Sequence, residues 1–264
     1  MPGPIRAPVS SLELPTKLDR AVVPNVVEGR WLLNLYPDAA EAGGCLQTAG
    51  RSGEQRDPFE RADDRSAAEA ARRARGKVRR YCAANRLNRL GTVTYAGDGL
   101  FDPITLRRDV GRFFRALRAD LGQALPYLWA PEWHPGGHGL HVHFAVGRYV
   151  HYLTIRRAWG HGLVHIKLLG DLPTGSGSLG EARLAARYLS KYVSKDLGGD
   201  APPGLHRYEV AEGFGPKVTR LTGVSPADVL ERASAIMGAE PERVWDSADE
   251  PSWDGPHAIW AQWS

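Results

Sequence analysis

An α+β fold is predicted for this chain from the order of its strand and helix patterns. From residue 90 to residue 195 the periodicity gives strand, helix, two strands, helix, strand and helix. The two adjacent strands, at 125–134 and 140–146, are joined by a short glycine-rich loop, which indicates an antiparallel hairpin. We therefore expect an antiparallel sheet with helices packed on it.

Each element has a local pattern of its own. The first strand alternates and is rich in β-branched residues, and the helix after it has apolar side chains every three or four positions and stops near Gly122. Pro131 indicates an edge or a bulge in its strand. The predicted helices are 65–88, 104–122, 151–159, 181–195 and 225–237, and the predicted strands are 90–95, 125–134, 140–146, 163–169 and, near the end, 206–210.

The amino-acid composition limits the classes of function that this chain can have. The chain has 264 residues, 42% of them hydrophobic, a net charge of +4 and a pI near 9.1, which makes nucleic acid a reasonable partner. Two distant cysteines exclude a disulfide framework and a cysteine-rich zinc finger, so a reducing bacterial cytoplasm is expected. The sequence has no run long enough for a membrane span, no secretion signal and no P-loop motif, so we expect neither a membrane partner nor a nucleotide cofactor.

Three segments are predicted. Residues 1–58 form a proline- and glycine-rich arm that is partly irregular, with no element assigned to 25–58 beyond one apolar island. Residues 59–218 form the main domain, and residues 219–264 form a helix and an acidic tail with four tryptophans. The tail is expected to pack back on the domain or to meet a protein partner.

The helix at 65–88 begins a strongly basic stretch. From Arg72 to Arg89 there are eight basic residues and no acidic one, so the charge of this stretch is all of one sign and gives no i,i+4 salt-bridge support within it. The stretch is either a solvated charged face or a phosphate-binding surface. The candidate DNA contacts are Arg79, Arg80, Arg89 and Arg148, and Trp129 and Trp133 would either stack on DNA or pack in the core.

A metal site is predicted on the hairpin. His141 and His143 alternate along a strand and so lie on one face, while Val142 points into the core. Glu132 precedes the connecting loop and should lie opposite one of them. Two imidazoles and a carboxylate suit a divalent ion, Mg²⁺ or Mn²⁺. His134 is a competing ligand, and a structural or solvent-facing role for the histidine pair is the alternative.

The helix at 181–195 has an unusual polar stripe. Tyr188, Lys191, Tyr192 and Lys195 share one side, and alanine, leucine and valine form the other. Ser178 and Glu181 have the pattern of a capping box, and Gly198-Gly199 is the expected stop. A phenol is a weak nucleophile near neutral pH, and nearby ammonium groups favour its phenolate form. Packing in the core is the alternative role for the tyrosines.

Together, the histidine pair and the tyrosine–lysine helix resemble the HUH endonucleases, specifically rolling-circle replication initiators of the actinobacterial plasmid and integrative-element type with two tyrosines. The similarity covers about residues 78–218, with Leu90 to Tyr95 as the first motif. It implies a central antiparallel sheet with flanking helices, of the RNA-recognition-motif or ferredoxin-like kind. Cysteine pairs that many such relatives carry before this motif are missing here, so no zinc site is expected.

The resemblance also implies a reaction. His141, His143 and Glu132 would hold the divalent ion at the scissile phosphate, and Tyr188 or Tyr192 would attack it, with Lys191 and Lys195 near the phosphate. The products would be a 5′-phosphotyrosine bond and a free 3′-OH that primes replication. Single-stranded or hairpin origin DNA is the implied substrate, and a host helicase and polymerase are the implied partners. Tyr188, nearer the helix start, is the expected first nucleophile.

Other functions remain open from the sequence. A two-tyrosine HUH transposase would have the same active site, although such proteins usually carry further domains. A relaxase fits less well because its tyrosine normally precedes the histidines. A non-catalytic DNA-binding repressor on a nuclease fold, and a metal-dependent hydrolase without a covalent step, are the alternatives from other classes.

Overall fold

The computed structural model describes residues 29–48, 64–167, 177–195, 205–253 and 255–264. It has five helices and ten strands in these ranges, which confirms the predicted α+β class. The helices are α1 Asp64–Ala84, α2 Pro103–Leu121, α3 Tyr152–Trp159, α4 Gly177–Lys195 and α5 Pro226–Met237. The strands are β1 Gly29–Tyr36, β2 Glu41–Thr48, β3 Arg89–Val93, β4 Tyr127–Trp133, β5 Leu140–Val146, β6 Val164–Lys167, β7 Glu209–Val210, β8 Thr219–Gly223, β9 Arg243–Asp246 and β10 Ala258–Gln262.

The strands form two antiparallel sheets of five. We call the sheet in the order β6-β3-β5-β4-β7 the site sheet, and the sheet in the order β8-β1-β2-β10-β9 the terminal sheet. In the site sheet, β4 and β5 pair as the predicted hairpin, with Glu132 opposite His141. No helix in the described ranges has the length and hydrophobicity needed to cross a lipid bilayer.

The site sheet is covered on both faces. On one face, α2 and α3 pack on a core that includes Phe113, Phe144 and Trp159. On the other, α1 and α4 pack on Leu90 and Ala145. Every residue of β5 is buried, because it is the central strand between two helical layers. A Cβ at residue 91 would lie 2.3 Å from the Phe144 ring, so only glycine lets β3 approach β5 here.

Side chains cap the starts of α2, α3 and α5, with His151 as the cap of α3, whereas the start of α4 departs from its prediction. Asp102 caps α2, and Ser225 followed by Pro226 starts α5 as its sequence predicts. The capping box predicted for α4 is wrong. The helix begins at Gly177, one residue before Ser178, and Glu181 accepts a hydrogen bond of 2.5 Å from the Asn88 side chain. The predicted stop at Gly198-Gly199 lies outside the described residues.

The terminal sheet combines the two ends of the chain. The hairpin of β1 and β2 pairs with β8 on one side and β10 on the other. Its inner face packs against α5 through Leu33, Leu35 and Val229. The acidic tail packs back on the chain as β9 and β10, and Trp263 is buried there. Residues 1–24 of the predicted arm lie outside the described residues.

Charged and aromatic side chains join the terminal sheet to α1. Glu41 is buried, with 3% of its surface exposed, and its two carboxylate oxygens accept hydrogen bonds of 2.8 and 2.7 Å from Arg79. Arg80 donates a third hydrogen bond of 3.3 Å. The two guanidinium groups also lie over aromatic rings of the terminal sheet, Trp260 for Arg79 and Tyr36 for Arg80. This cluster fixes α1, and with it the helical layer above the site sheet.

The tyrosine helix is attached to the same sheet. Arg183 of α4 donates hydrogen bonds to the backbone carbonyls of Ala40 and Trp263 at 3.1 and 2.7 Å. These carbonyls belong to the turn between β1 and β2 and to the end of the chain. The terminal sheet therefore holds α4 as well as α1.

Replacing Glu41 with alanine is expected to lower the free energy of unfolding by about 2–3 kcal/mol. The change leaves two guanidinium groups beside apolar surface without their anion. The expected loss is below that for a fully buried pair because 38% of the Arg79 side chain and 23% of the Arg80 side chain are exposed. Urea unfolding followed by circular dichroism measures the change. Glu69→Ala, which breaks the exposed pair with Arg73, is the control and should change stability by less than about 0.5 kcal/mol. Equal losses in the two variants would refute the structural role of Glu41.

Candidate metal centre and tyrosine site

The hairpin brings three candidate ligands together. Glu132 Oε2, His141 Nε2 and His143 Nε2 form a triangle with sides of 3.0, 2.9 and 2.9 Å. Both histidines are buried, and 15% of the Glu132 side chain is exposed. The strand register explains the arrangement, since Glu132 lies opposite His141 and the two histidines share a face. We call these three residues the triad.

The triad fits a divalent cation. A carboxylate and two imidazoles are common ligands of such ions, and their donor atoms converge on one point. Their spacing of 2.9 to 3.0 Å lets one ion reach all three donor atoms, so Glu132, His141 and His143 would hold a divalent cation together.

Thr92 of β3 orients one of the histidines. Its hydroxyl lies 2.9 Å from His143 Nδ1, and the two residues are opposite each other in the sheet. A proton on Nδ1 that is donated to the hydroxyl leaves the lone pair on Nε2, the atom that faces the triad. Sequence reasoning assigned Thr92 only to a strand. The pairing of β3 with β5, which no local pattern specifies, gives it this role.

Replacing Thr92 with valine is expected to weaken metal binding about tenfold or more, within the range usual for groups that orient a ligand. Valine has nearly the same shape and lacks the oxygen that selects the histidine tautomer. Calorimetric titration of the full chain with Mn²⁺ gives the affinity. Thr92→Ser keeps the hydroxyl and should bind like the wild type. If valine binds the ion as tightly as serine does, the hydroxyl has no part in the site.

His134 lies beside the triad but differs from it in its contacts. Its ring centroid is 5.5 Å from that of His141, and its Nδ1 accepts a hydrogen bond of 3.0 Å from the Gly136 amide. Neutral His134 then carries its proton on Nε2, which cannot bind a metal ion in that form. The cluster of converging ligand atoms in the described ranges does not include His134. The competing ligand considered from the sequence is thus held in another role, as a brace of the hairpin loop.

Among the tyrosines whose side chains the structure describes, Tyr188 of α4 has its ring against a triad histidine. Its ring is perpendicular to the His143 ring, with 6.3 Å between the centroids. Lys167, the last residue of β6, lies over the ring with its Nζ 4.1 Å from the centroid. A cation at this distance is attracted to the ring face. Tyr188 is therefore placed between the histidine side of the site and an ammonium group.

Lys167 is a site residue that the sequence did not reveal. The lysines expected beside the tyrosines were Lys191 and Lys195, which share their helical stripe. Lys191 is exposed, and the side chains of Tyr192 and Lys195 lie outside the described part of the structure. The alternation of β6, in which Lys167 and His165 face the same way, was the available signal. It became informative only once β6 was paired with β3.

Two other tyrosines near the site sheet have structural roles. Burial raises the pKa of Tyr81, whose hydroxyl donates to the Ala211 carbonyl. Burial and the neighbouring Asp109 carboxylate raise the pKa of Tyr95, which donates a hydrogen bond of 3.1 Å to that carboxylate. Both phenols are thus held protonated, so neither is a candidate nucleophile.

The candidate DNA contacts from the sequence lie in two places. Arg79 and Arg80 bind Glu41, so we do not retain them as phosphate contacts. Arg89 and Arg148 line a pocket on the face of the site sheet that α3 covers, opposite the triad. The structure therefore does not bring any of these four arginines to the triad.

The two tryptophans of β4 differ in burial. Trp129 is a core residue with 2% of its surface exposed, so it cannot stack on DNA. Trp133 is partly buried and packs beside the exposed Phe101, with 6.2 Å between the rings. Core packing, the alternative considered for both, accounts for Trp129.

The site lies inside a region shared with known proteins. Residues 88–197 match the family model of Replication-associated protein ORF2/G2P. This range holds the triad, Thr92, Lys167 and Tyr188, and covers less than half of the chain. No curated protein matches the chain, and no solved structure does. The similarity is to replication-associated proteins, which is consistent with the rolling-circle initiator predicted from the sequence.

Proposed function

We propose that this protein is a replication initiator that nicks single-stranded origin DNA with a tyrosine nucleophile and a divalent metal ion. Its products are a 5′-phosphotyrosine bond and a free 3′-OH for rolling-circle replication. The observation that carries the proposal is the placement of Tyr188 against His143, inside the region similar to replication-associated proteins. A tyrosine beside three converging metal ligands is what such a reaction needs.

Each residue of the site has a role in the proposed reaction. The triad would hold Mg²⁺ or Mn²⁺, which supplies positive charge next to the non-bridging oxygens of the scissile phosphate. Thr92 keeps the Nε2 lone pair of His143 available. Lys167 lies over the Tyr188 ring, where the attraction between the ammonium group and the ring face helps to orient the phenol. Lys191, Lys195 and Tyr192 remain candidates from the sequence for holding the phosphate and for a second strand transfer.

The chemical step conserves the number of phosphate ester bonds. The Tyr188 oxygen forms a bond to phosphorus while the bond from phosphorus to the 3′ oxygen breaks. The phenol proton passes to solvent, and the departing oxygen takes a proton to become the 3′-OH. Because the phosphotyrosine bond retains the ester, a later 3′-OH can attack it and rejoin the strand. The free 3′-OH is a primer, so a host helicase and polymerase are the partners that the reaction requires.

The test is to trap the covalent product. The full chain is incubated with single-stranded DNA from the replication origin and Mn²⁺, and the DNA-linked peptide is mapped by mass spectrometry. We expect the adduct on Tyr188. Cleavage that leaves no protein–DNA adduct would instead indicate a hydrolase without a covalent step. DNA binding without any cleavage would indicate a repressor.

A further inference from the structure

A pocket opens on the face of the site sheet that lies opposite the triad. Its walls are apolar side chains from β5, β6 and α3, including Phe144, Val146, Ile155 and Ile166. Arg89 and Arg148 border it, together with Tyr149, which is 69% exposed. The pocket thus combines an apolar interior with two positive charges and an accessible aromatic ring.

The Nε–H group of Arg148 indicates what kind of ligand this pocket can bind. Within the described part of the chain, its Nε is buried and has no hydrogen-bond partner. A buried donor without a partner is unfavourable, and a bound acceptor would remove that penalty. The guanidinium fork matches the oxygens of a phosphate group especially well. The ligand therefore needs a phosphate next to a flat apolar part.

A nucleotide has both parts. Its base would lie against the apolar walls and stack on the exposed Tyr149 ring, since bases stack on aromatic rings with little regard to sequence. Its phosphate meets the two arginines. We propose that this pocket binds one nucleotide of the single-stranded DNA that flanks the cleaved phosphate, an inference that rests on the proposed function.

The position of the pocket relative to Tyr188 supports this assignment. Arg148 lies two residues beyond the end of β5 and five residues after His143, so the two backbones are at most about 18 Å apart. Lys167, which lies on the Tyr188 ring, pairs with Leu90, the residue after Arg89. Basic side chains therefore lead from the tyrosine around this end of the site sheet to the pocket. A DNA strand that follows them reaches the pocket within a few nucleotides of the triad.

The test measures DNA affinity without catalysis. Fluorescein-labelled oligothymidylate of 16 residues is titrated with the full chain in EDTA, and binding is followed by fluorescence anisotropy. We expect Arg148→Ala and Tyr149→Ala each to raise the Kd about tenfold, and Arg148→Ala to lower the slope of log affinity against log salt by about one. Arg220→Ala, which removes an exposed charge from β8, is the matched control and should bind like the wild type. Because Tyr149 is exposed, its removal leaves the core intact and keeps the test valid if the Arg148 variant fails to fold.

An abasic oligomer of the same length separates the base from the phosphate. We expect the wild type to bind the abasic oligomer more weakly than it binds oligothymidylate. We expect Tyr149→Ala to bind the abasic oligomer as weakly as the wild type does. Pocket variants that bind like Arg220→Ala would overturn the proposal, and so would an abasic oligomer that binds the wild type as tightly as oligothymidylate. Weaker binding by the pocket variants in a protein that forms no tyrosine adduct would support the pocket while refuting the proposed reaction. A tyrosine adduct in a protein whose pocket variants bind DNA like the wild type would support the proposed reaction and refute the nucleotide pocket.

Discussion

Replacing His143 with alanine is expected to reduce metal-dependent DNA cleavage at least about a hundredfold. Removal of one group that stabilises charge in a transition state typically lowers the rate by about 10²–10³. His143 joins three parts of the site, since it is a triad member, contacts the Tyr188 ring and lies within hydrogen-bonding distance of Thr92. Its loss should therefore weaken ion binding and disturb the nucleophile together.

Cleavage of labelled single-stranded origin DNA over a range of Mn²⁺ concentrations measures this effect. His206→Ala, which removes an exposed histidine that is not one of the converging ligands, is the control. Chelation of the ion should reduce wild-type cleavage to the level of the His143 variant. A His143 variant that cleaves at the wild-type rate at low Mn²⁺ would show that the triad is not the metal site.

Replacing Tyr188 with phenylalanine is expected to reduce adduct formation about a thousandfold or more, because the variant lacks the attacking oxygen. The ring is retained, so its packing against His143 and Lys167 is expected to persist. Metal affinity should be unchanged, which distinguishes this variant from those of the triad. Tyr188 packs at the border of the core that α1 and α4 form on the site sheet, and the phenylalanine ring keeps that packing.

Tyr192→Phe is the matched control for this prediction. Tyr192→Phe is expected to form the first adduct at the wild-type rate. Any defect of this variant is expected in a second strand transfer. Gel separation of protein–DNA adducts after a single turnover compares the two variants. An adduct that persists in Tyr188→Phe and is lost in Tyr192→Phe would assign the first attack to Tyr192. An adduct formed by the double variant would show that neither tyrosine is the nucleophile.

The sequence was most informative where a local rule controls position. Alternation along β5 was enough to put His141 and His143 on one face, and the short hairpin loop was enough to bring Glu132 opposite them. Helical spacing likewise predicted α2 and α5 to within about one residue. These parts of the fold depend on residues that are close in the chain.

The remainder depends on contacts between distant segments. Thr92 and Lys167 become site residues only because β3 lies between β5 and β6. Arg79 and Arg80 had the pattern of a DNA-binding helix, and their partner Glu41 lies in a glycine-rich segment without a clear strand pattern. Strand β2 has few of the β-branched residues that mark strands, so only its pairing with β1 and β10 defines it.

The terminal sheet also constrains the order in which the chain can fold. Strand β2 pairs with β10, and Ala42 there lies opposite Ala261, nearly the whole length of the chain away. Contacts between residues so far apart form late, because a very long loop must close first. During synthesis the site sheet can assemble as soon as its strands emerge, whereas the β2 edge of the β1–β2 hairpin stays unpaired until β10 has been made. Since Arg183 of α4 bonds to the Trp263 carbonyl, α4 gains this contact only after the segment that follows β10 has joined the terminal sheet.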